Sequence, residues 1–293
     1  TVSYQGQDVE VVRLKEIFKN QPTTVEFRKS DLTTGVELDG ATLTVLDKDG
    51  NEIDKWTSVK GEPHIIKRLH VGETYILREE FAPYGYLKAE EVEFTITDTA
   101  EIQKVEMKDD VPIGRIIINK KGEFLSEVSW NDMVAGAMDS IWGYVTGSLK
   151  DVTFEIYARE DIKAADGESD DYYKKDELVA TIKTDELGIA RTDDLPLGKY
   201  YVVEKETADG FVLDGEPRDI DLTYRDQNTP VVTYDEDWQN NRQKAEVEVV
   251  KKEKDSDRVL EGAVFALCAK NDITGAAGKV ILEADTVIEE LAT

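Results

Sequence analysis

The sequence predicts an all-β chain of tandem antiparallel β-sandwiches, and three observations carry that prediction. Short runs such as TVEFRKS, ATLTVLDKDGNEI, TYILREE, VEFTITD and IQKVEMKDD alternate apolar and polar residues and are rich in Val, Ile, Thr and Tyr. A period of two marks a strand with one buried face. Turn signals separate the runs at close intervals, among them Asp49-Gly50-Asn51, which reads as a hairpin turn. Many short strands joined in this way make sandwiches rather than parallel sheets with helices. The third observation is internal repetition, which divides the chain.

Residues 1–22, with VVRLKEIFKNQPTT, read as the tail of a repeat unit. A full unit follows over 23–111. Its first alternating run closes on Lys29, a polar turn leads to Leu38-Asp39-Gly40-Ala41, and a new strand begins. Later in the unit, Glu79 stands six residues before Gly85. A second unit spans 112–243. RIIINKKGEFL puts Lys120 at the same place in its strand, an insertion intervenes, the pattern resumes at LKDVTFEIYA, and Glu204 again stands six residues before a glycine, Gly210. A third unit opens at 244, where Lys251 precedes Leu260 by nine residues, as Lys29 precedes Leu38. Residues 244–293 read as its first half. The chain begins on Thr without a signal-peptide pattern, carries no sortase-type anchoring motif and ends within an element at IEELAT, so it reads as a segment of a longer protein.

Composition narrows the function. The 36 basic residues face 63 acidic ones, for a net charge of −27, which argues against nucleic acid, whose binding rests on Lys and Arg neutralising phosphates. No apolar run approaches the ~20 residues that a membrane-spanning helix needs, so no membrane insertion is expected of this segment. Cys268 is the only cysteine; there is no disulfide framework, and its place in AVFALC predicts a small buried hydrophobe. His64 and His70 have no Cys partner, which leaves them surface or strand-end roles. The acidic DGESDD at 166–171 lacks the ordered oxygen spacing of a calcium loop and reads as a solvated turn. No metal or cofactor is expected, and no Gly-rich phosphate loop or Ser/His/Asp arrangement is visible.

The repeated signals resemble a known family. KSDLTTGVELDGATLTV followed by YILREEFAPYGY is similar to the Cna B-type (SpaA-like, prealbumin-like) repeat domains of Gram-positive surface adhesins and pilins. Glu79, Ala82, Pro83, Gly85 and Tyr86 fit that family's turn signature; in the second unit Glu204, Gly210 and Phe211 fit, with Ala208 in place of the proline. The resemblance covers nearly the whole chain. It implies immunoglobulin-like β-sandwiches, an extracellular, cell-wall-associated location and, in many members, an intramolecular isopeptide bond. That bond joins a Lys on the first strand to an Asn or Asp on the last, with a Glu assisting.

Side-chain parity reaches the same constellation. In TVEFRKS, Val25, Phe27 and Lys29 share one face, so Lys29 points into the core with its apolar neighbours. Burial disfavours an ammonium, and a neutral buried amine is a nucleophile. Glu79 shares its face with Tyr75 and Leu77; burial favours the protonated carboxyl, which can polarise a carbonyl and shuttle protons. On the closing strands, Val105 and Met107 share a face with Asp109, favouring it over Asp110, and Tyr234 and Trp238 share one with Asn240, favouring it over Asn241. Asp109 precedes Lys120 by eleven residues and Asn240 precedes Lys251 by eleven. The predicted sets are Lys29, Glu79 and Asp109, then Lys120, Glu204 and Asn240. By analogy Asn20 is the acceptor of a preceding unit and Lys251 the nucleophile of the third. Such a reaction turns over once, on the protein's own chain, so no enzyme is expected; a satisfied polar network without a covalent bond is the competing reading.

The second unit is longer: Glu204 lies 84 residues after Lys120, whereas Glu79 lies 50 after Lys29. Most of the excess is the insertion at 122–148. There Trp130, Val134, Ala137, Met138, Ile141 and Trp142 fall near one helical face, with Ser129 as N-cap, so a partly helical insertion is expected in the second sandwich. Long insertions often carry function, which makes Trp130 and Trp142 the candidates for gripping a glycan or a host protein. Stalk segment is the leading reading, ligand-binding adhesin module the alternative; neighbouring domains of the same chain are the expected partners.

Overall fold

The computed structural model describes residues 3, 6–11, 13, 15–132 and 138–293. Among them, strands dominate and the helical content is one 3-10 turn, Ala276–Gly278; no helix is long and apolar enough to cross a membrane. The chain divides into two compact units, residues 1–111 with 226–228, and residues 112–225 with 229–293.

The first unit is a seven-stranded sandwich. Its strands are β1 (Thr24–Asp31), β2 (Thr42–Leu46), β3 (Glu52–Thr57), β4 (His64–Lys67), β5 (Thr74–Phe81), β6 (Val92–Thr95) and β7 (Gln103–Asp109). One sheet has the order β4-β1-β7 and the other β3-β2-β5-β6. β1 and β7, the opening and closing strands, lie side by side and run parallel. Alternation buries Val25 and Phe27 of β1 and Val105 and Met107 of β7 against Leu43, Val45, Tyr75 and Leu77 of the other sheet. Each fully buried side chain of this kind contributes roughly 1.5–3 kcal/mol. The β2–β3 connection closes at Gly50, whose φ of 84° is the left-handed conformation that glycine adopts without steric cost.

The second unit repeats this plan with β8 (Ile113–Asp132), β9 (Met138–Ser148), β10 (Thr153–Ala158), β11 (Leu178–Lys183), β12 (Ile189–Arg191), β13 (Leu195–Pro196), β14 (Lys199–Glu206), β15 (Arg218–Asp221) and β16 (Val231–Asn240). The first half of β8 pairs parallel with β16, from Ile113 with Val231 to Gly122 with Asn240, and antiparallel with β12 and β13. The facing sheet has the order β11-β10-β14-β15. Ile116 and Ile118 of one sheet meet Phe154, Ile156, Tyr200 and Val202 of the other in the core. Four further strands follow in the same unit: β17 (Val264–Cys268), β18 (Ile273–Thr274), β19 (Val280–Leu282) and β20 (Val287–Ala292).

The insertion at 122–148 departs from expectation: it is a β-hairpin, not a helix. β8 continues through it and β9 returns, paired from Lys121 with Ser148 out to Asp132 with Met138, with one register shift between Leu125 and Glu127. Gly143 and Gly147 would each cost a helix interior about 1 kcal/mol, and Val128, Trp130, Ile141, Trp142, Tyr144 and Val145 suit a pleated surface. Ser129 is therefore a strand residue and caps no helix. Val134 and Ala137 lie outside the described residues. Beyond the hairpin the sheet goes on, because Met138 pairs with Glu290 of β20 and β20 pairs with β17.

Cys268 is a second correction, for it is exposed rather than buried. β17 pairs only with β20, and among the described residues no second sheet covers its face. Strand alternation identifies the strand; burial requires a partner layer.

Candidate functional site

Register brings the predicted residues of the first unit together. Lys29 stands opposite Met107, and Asp31 opposite Asp109, across the parallel pair β1–β7. Lys29 and Asp109 are thus diagonal neighbours on the inner face of one sheet, and Glu79 reaches them from β5 in the other. All three are buried. Lys29 Nζ donates to Asp109 Oδ1 and lies 3.0 Å from Glu79 Oε1, close but out of line for a hydrogen bond. Glu79 Oε2 accepts the Ala89 backbone N–H at 2.7 Å. Glu79 Oε1 and Asp109 Oδ2 have no donor in line. Burial pushes Asp109 up to about 7, against the pull of Lys29 beside it.

The second unit uses the same diagonal: Lys120 stands opposite Trp238 and Gly122 opposite Asn240. Lys120, Glu204 and Asn240 are all buried. Lys120 Nζ donates to Asn240 Oδ1 at 2.7 Å and lies 2.7 Å from Glu204 Oε2. The amide nitrogen Nδ2 of Asn240 donates to Glu204 Oε1 and, at 2.8 Å, to Thr207 Oγ1. The Phe154 ring lies 5.7 Å from Nζ and helps to exclude water. Desolvation holds Lys120 below the ordinary lysine value, with Glu204 pulling the other way.

Two local devices aim these groups, and neither was expected from the sequence. A β-bulge follows each glutamate. Leu43 pairs with Glu79 and Thr42 with Phe81, so Glu80 is the extra residue; Phe154 pairs with Glu204 and Thr153 with Glu206, so Lys205 is the extra residue. A bulge ends the alternation and re-aims its strand, which is why Phe81, of the same parity as Glu79, is 64% exposed. The aromatic of the Gly-aromatic turn supplies the second device. Tyr86 is buried and its hydroxyl donates to Asp31 Oδ2 at 2.8 Å, while Phe211 lies over Gly122, leaving no room for a Cβ there. Asp31 and Gly122 are the register partners of Asp109 and Asn240, so each aromatic closes the end of its cluster. Asp31, Thr207 and the Ala89 amide join the predicted residues.

The remaining candidates lie elsewhere. Asp110 and Asn241 are exposed, as are Asn20 and Lys251, which the structure places in no such cluster. Trp130 is 39% exposed, and its indole N–H donates to the Ile288 carbonyl at 3.1 Å. Trp142 is half-buried and donates to Ser140 Oγ at 3.1 Å. Register puts Trp130 beside Ser140 and Trp142 beside Val128, on one face of the hairpin. Asp166 accepts the Glu168 and Ser169 backbone N–H groups at 3.0 and 2.9 Å, closing its own turn. Among the described residues no group of three or more His, Cys, Asp or Glu side chains is placed to hold a metal.

Repeated two-sheet sandwiches whose opening and closing strands pair in parallel define a prealbumin-like repeat protein. The chain belongs to the SpaA family of prealbumin-like fold domains, whose family model matches residues 23–111 and 144–238. The Bacillus anthracis TIE protein aligns with 24% identity over 75% of this chain and 34% of its own, at a TM-score of 0.46. A streptococcal ancillary pilin aligns with 15% identity over 77% of this chain and 64% of its own, at a TM-score of 0.29. The major pilin subunit of Bacillus cereus aligns with 12% identity over 76% of this chain and all of its own, at a TM-score of 0.29. The chain thus spans about a third of the first structure and under two thirds of the second. No curated protein matches the chain.

Proposed function

We propose that this chain is a structural segment of a stalk, adhesin or pilin displayed at the cell wall of a Gram-positive bacterium, in which residues 23–111 and 112–243 form repeats that each close with a self-formed isopeptide bond. One observation carries the proposal. The same buried Lys–Glu–acceptor arrangement occurs twice, at the same register diagonal, between the first and last strands of a sandwich. In the first repeat the Lys29 amine attacks the Asp109 carboxyl carbon; the C–N bond forms, a C–O bond breaks and water leaves, with Glu79 relaying the proton. In the second, Lys120 attacks the Asn240 amide carbon, the bond to Nδ2 breaks and ammonia leaves. Glu204, touching both the amine and the departing nitrogen, takes a proton from one and delivers it to the other.

The bond suits a stalk. Closing loops that join residues 80 and 120 apart constrains the unfolded chain by about 4.5 and about 5 kcal/mol in the chain-entropy model, and unlike a disulfide the link cannot be reduced. Its partners are the neighbouring repeats of the same chain, and membership of a surface-protein family supports the location. Intact mass of the denatured chain is the test. The expected value is one water and one ammonia below the sequence mass, with Glu79→Ala restoring the water and Glu204→Ala the ammonia. A full sequence mass, unchanged in both variants, would leave two polar networks and no cross-links.

A further inference from the structure

We infer that Thr207 is a positioning residue for the Lys120–Asn240 bond: it holds the acceptor amide by its leaving nitrogen and opens the way out for the ammonia. The inference rests on the cross-linking reading above. Asn240 is oriented at both ends. Its oxygen accepts from Lys120 Nζ at 2.7 Å, while its nitrogen donates to Glu204 Oε1 and to Thr207 Oγ1 at 2.8 Å. The opposite rotamer would set the NH2 group against the lysine, donor facing donor, and the carbonyl oxygen against the glutamate, acceptor facing acceptor. As Lys120 gives up its proton and turns its lone pair toward the amide carbon, it can no longer hold the oxygen as a charged donor. Glu204 and Thr207 then keep the carbon facing the amine.

The first repeat provides an internal comparison. Three residues after its glutamate, at the place of Thr207, stands Ala82, and its acceptor is Asp109. A carboxyl group has no N–H to hold and two equivalent oxygens, so it needs no such partner. The hydroxyl accompanies the amide and is missing where the amide is missing.

Thr207 also stands between the buried cluster and solvent. With Phe124, Leu149, Ala208 and Phe211 it lines an open cavity of about 920 Å³. The nitrogen it holds is the one that leaves. The C–N bond to Lys120 forms, the bond to Nδ2 breaks with the proton that Glu204 returns, and ammonia emerges beside Thr207, which lines the cavity. Hydrolysis of the new amide needs water to come in by the same route, which the hydroxyl and Phe211 narrow.

The test follows the reaction in the full chain, synthesised in a short cell-free pulse, chased at neutral pH and quenched in acid. The Lys120–Asn240 cross-linked peptide is then counted by mass after digestion. Thr207→Val, nearly isosteric but without the acceptor, is expected to slow ammonia loss about tenfold, the size of one neutral hydrogen bond. Thr207→Ser is expected to react like the parent. In an Asn240→Asp background, where the lost group is water, Thr207→Val is expected to change nothing. Equal rates for Thr207→Val and the parent would overturn the assignment. So would equal slowing by Val and Ser, or slowing by Val in the Asn240→Asp background, each of which would mark a packing role. A parent chain that keeps its ammonia would overturn the cross-link itself, a separate outcome from a linked chain indifferent to Thr207.

Discussion

At the scale of single residues, the two clusters solve one problem with different charges. The first encloses one lysine and two carboxyl groups, so it is neutral only when it holds an extra proton; the second encloses one lysine, one carboxyl group and a neutral amide. Their responses to pH differ accordingly. Asp109 is raised from 3.8 to about 7, chiefly by desolvation. A carboxyl group raised in the folded state lends stability that is complete below its unfolded value and is lost as pH climbs through the folded one. Lys29→Met prevents the cross-link and removes the cation that opposes the shift. The unfolding temperature of its first repeat is expected to fall by about 10 °C or more between pH 4 and pH 7.5, read by calorimetry; a flat profile would remove the buried proton from the account. For Lys120 the shift is downward from 10.5, with burial as its largest cause. The neutral amine is therefore present at lower pH than for a free lysine, and the rate of cross-linking in the second repeat is expected to rise with pH to a plateau whose midpoint lies below 10.5. A midpoint at the ordinary lysine value would show an amine open to water.

At the scale of elements, what could be read from the sequence is what a period of two encodes. Alternation placed Lys29, Glu79, Asp109 and Asn240 on inner faces, where they are buried, because a strand must follow its apolar neighbours inward. It failed wherever burial or conformation depends on something outside the strand. Phe81 is exposed because a bulge at Glu80 breaks the alternation. Cys268 is exposed because β17 lacks a facing layer. The insertion imitates a helix, since Trp130, Ile141 and Trp142 fall near helical spacing, yet a strand already running through Gly122 finds its partner inside the insertion and continues. Thr207 was invisible because its role depends on an amide more than thirty residues away in sequence. The hairpin carries its own prediction. A Cβ on Gly275 would stand 2.0 Å from the Leu125 carbonyl oxygen of β8, and Leu125 is buried. Gly275→Val is expected to drive the 275–282 segment off the hairpin and to cost about 2 kcal/mol of local stability. Limited proteolysis should then cut within 269–293 several times faster, with cleavage of the sandwich at 23–111 unchanged. Unaltered cleavage would mean that the close approach supports nothing.

At the scale of the whole molecule, the proposed bonds decide where tension travels. β1 and β7 run parallel, as do β8 and β16, so a pull at both ends of a repeat shears them in opposite senses and loads the Lys–acceptor diagonal directly. With the amide formed, force entering at Lys29 leaves at Asp109, and force entering at Lys120 leaves at Asn240, without unravelling the residues between. Each bond thereby withholds a definite length of chain. The first spans 80 residues and the second 120; at 3.3–3.6 Å per extended residue these correspond to about 280 and about 410 Å. Single-molecule stretching of the intact chain is expected to show neither length. Glu79→Ala should add one step of about 280 Å, Glu204→Ala one of about 410 Å, and the double variant both, each step naming the repeat that opened. The steps should persist under reducing agents, since no disulfide contributes. An intact chain that releases either length at forces that leave covalent bonds whole would place the resistance in strand pairing and hydrophobic packing, and the buried lysines would then be members of a polar network alone.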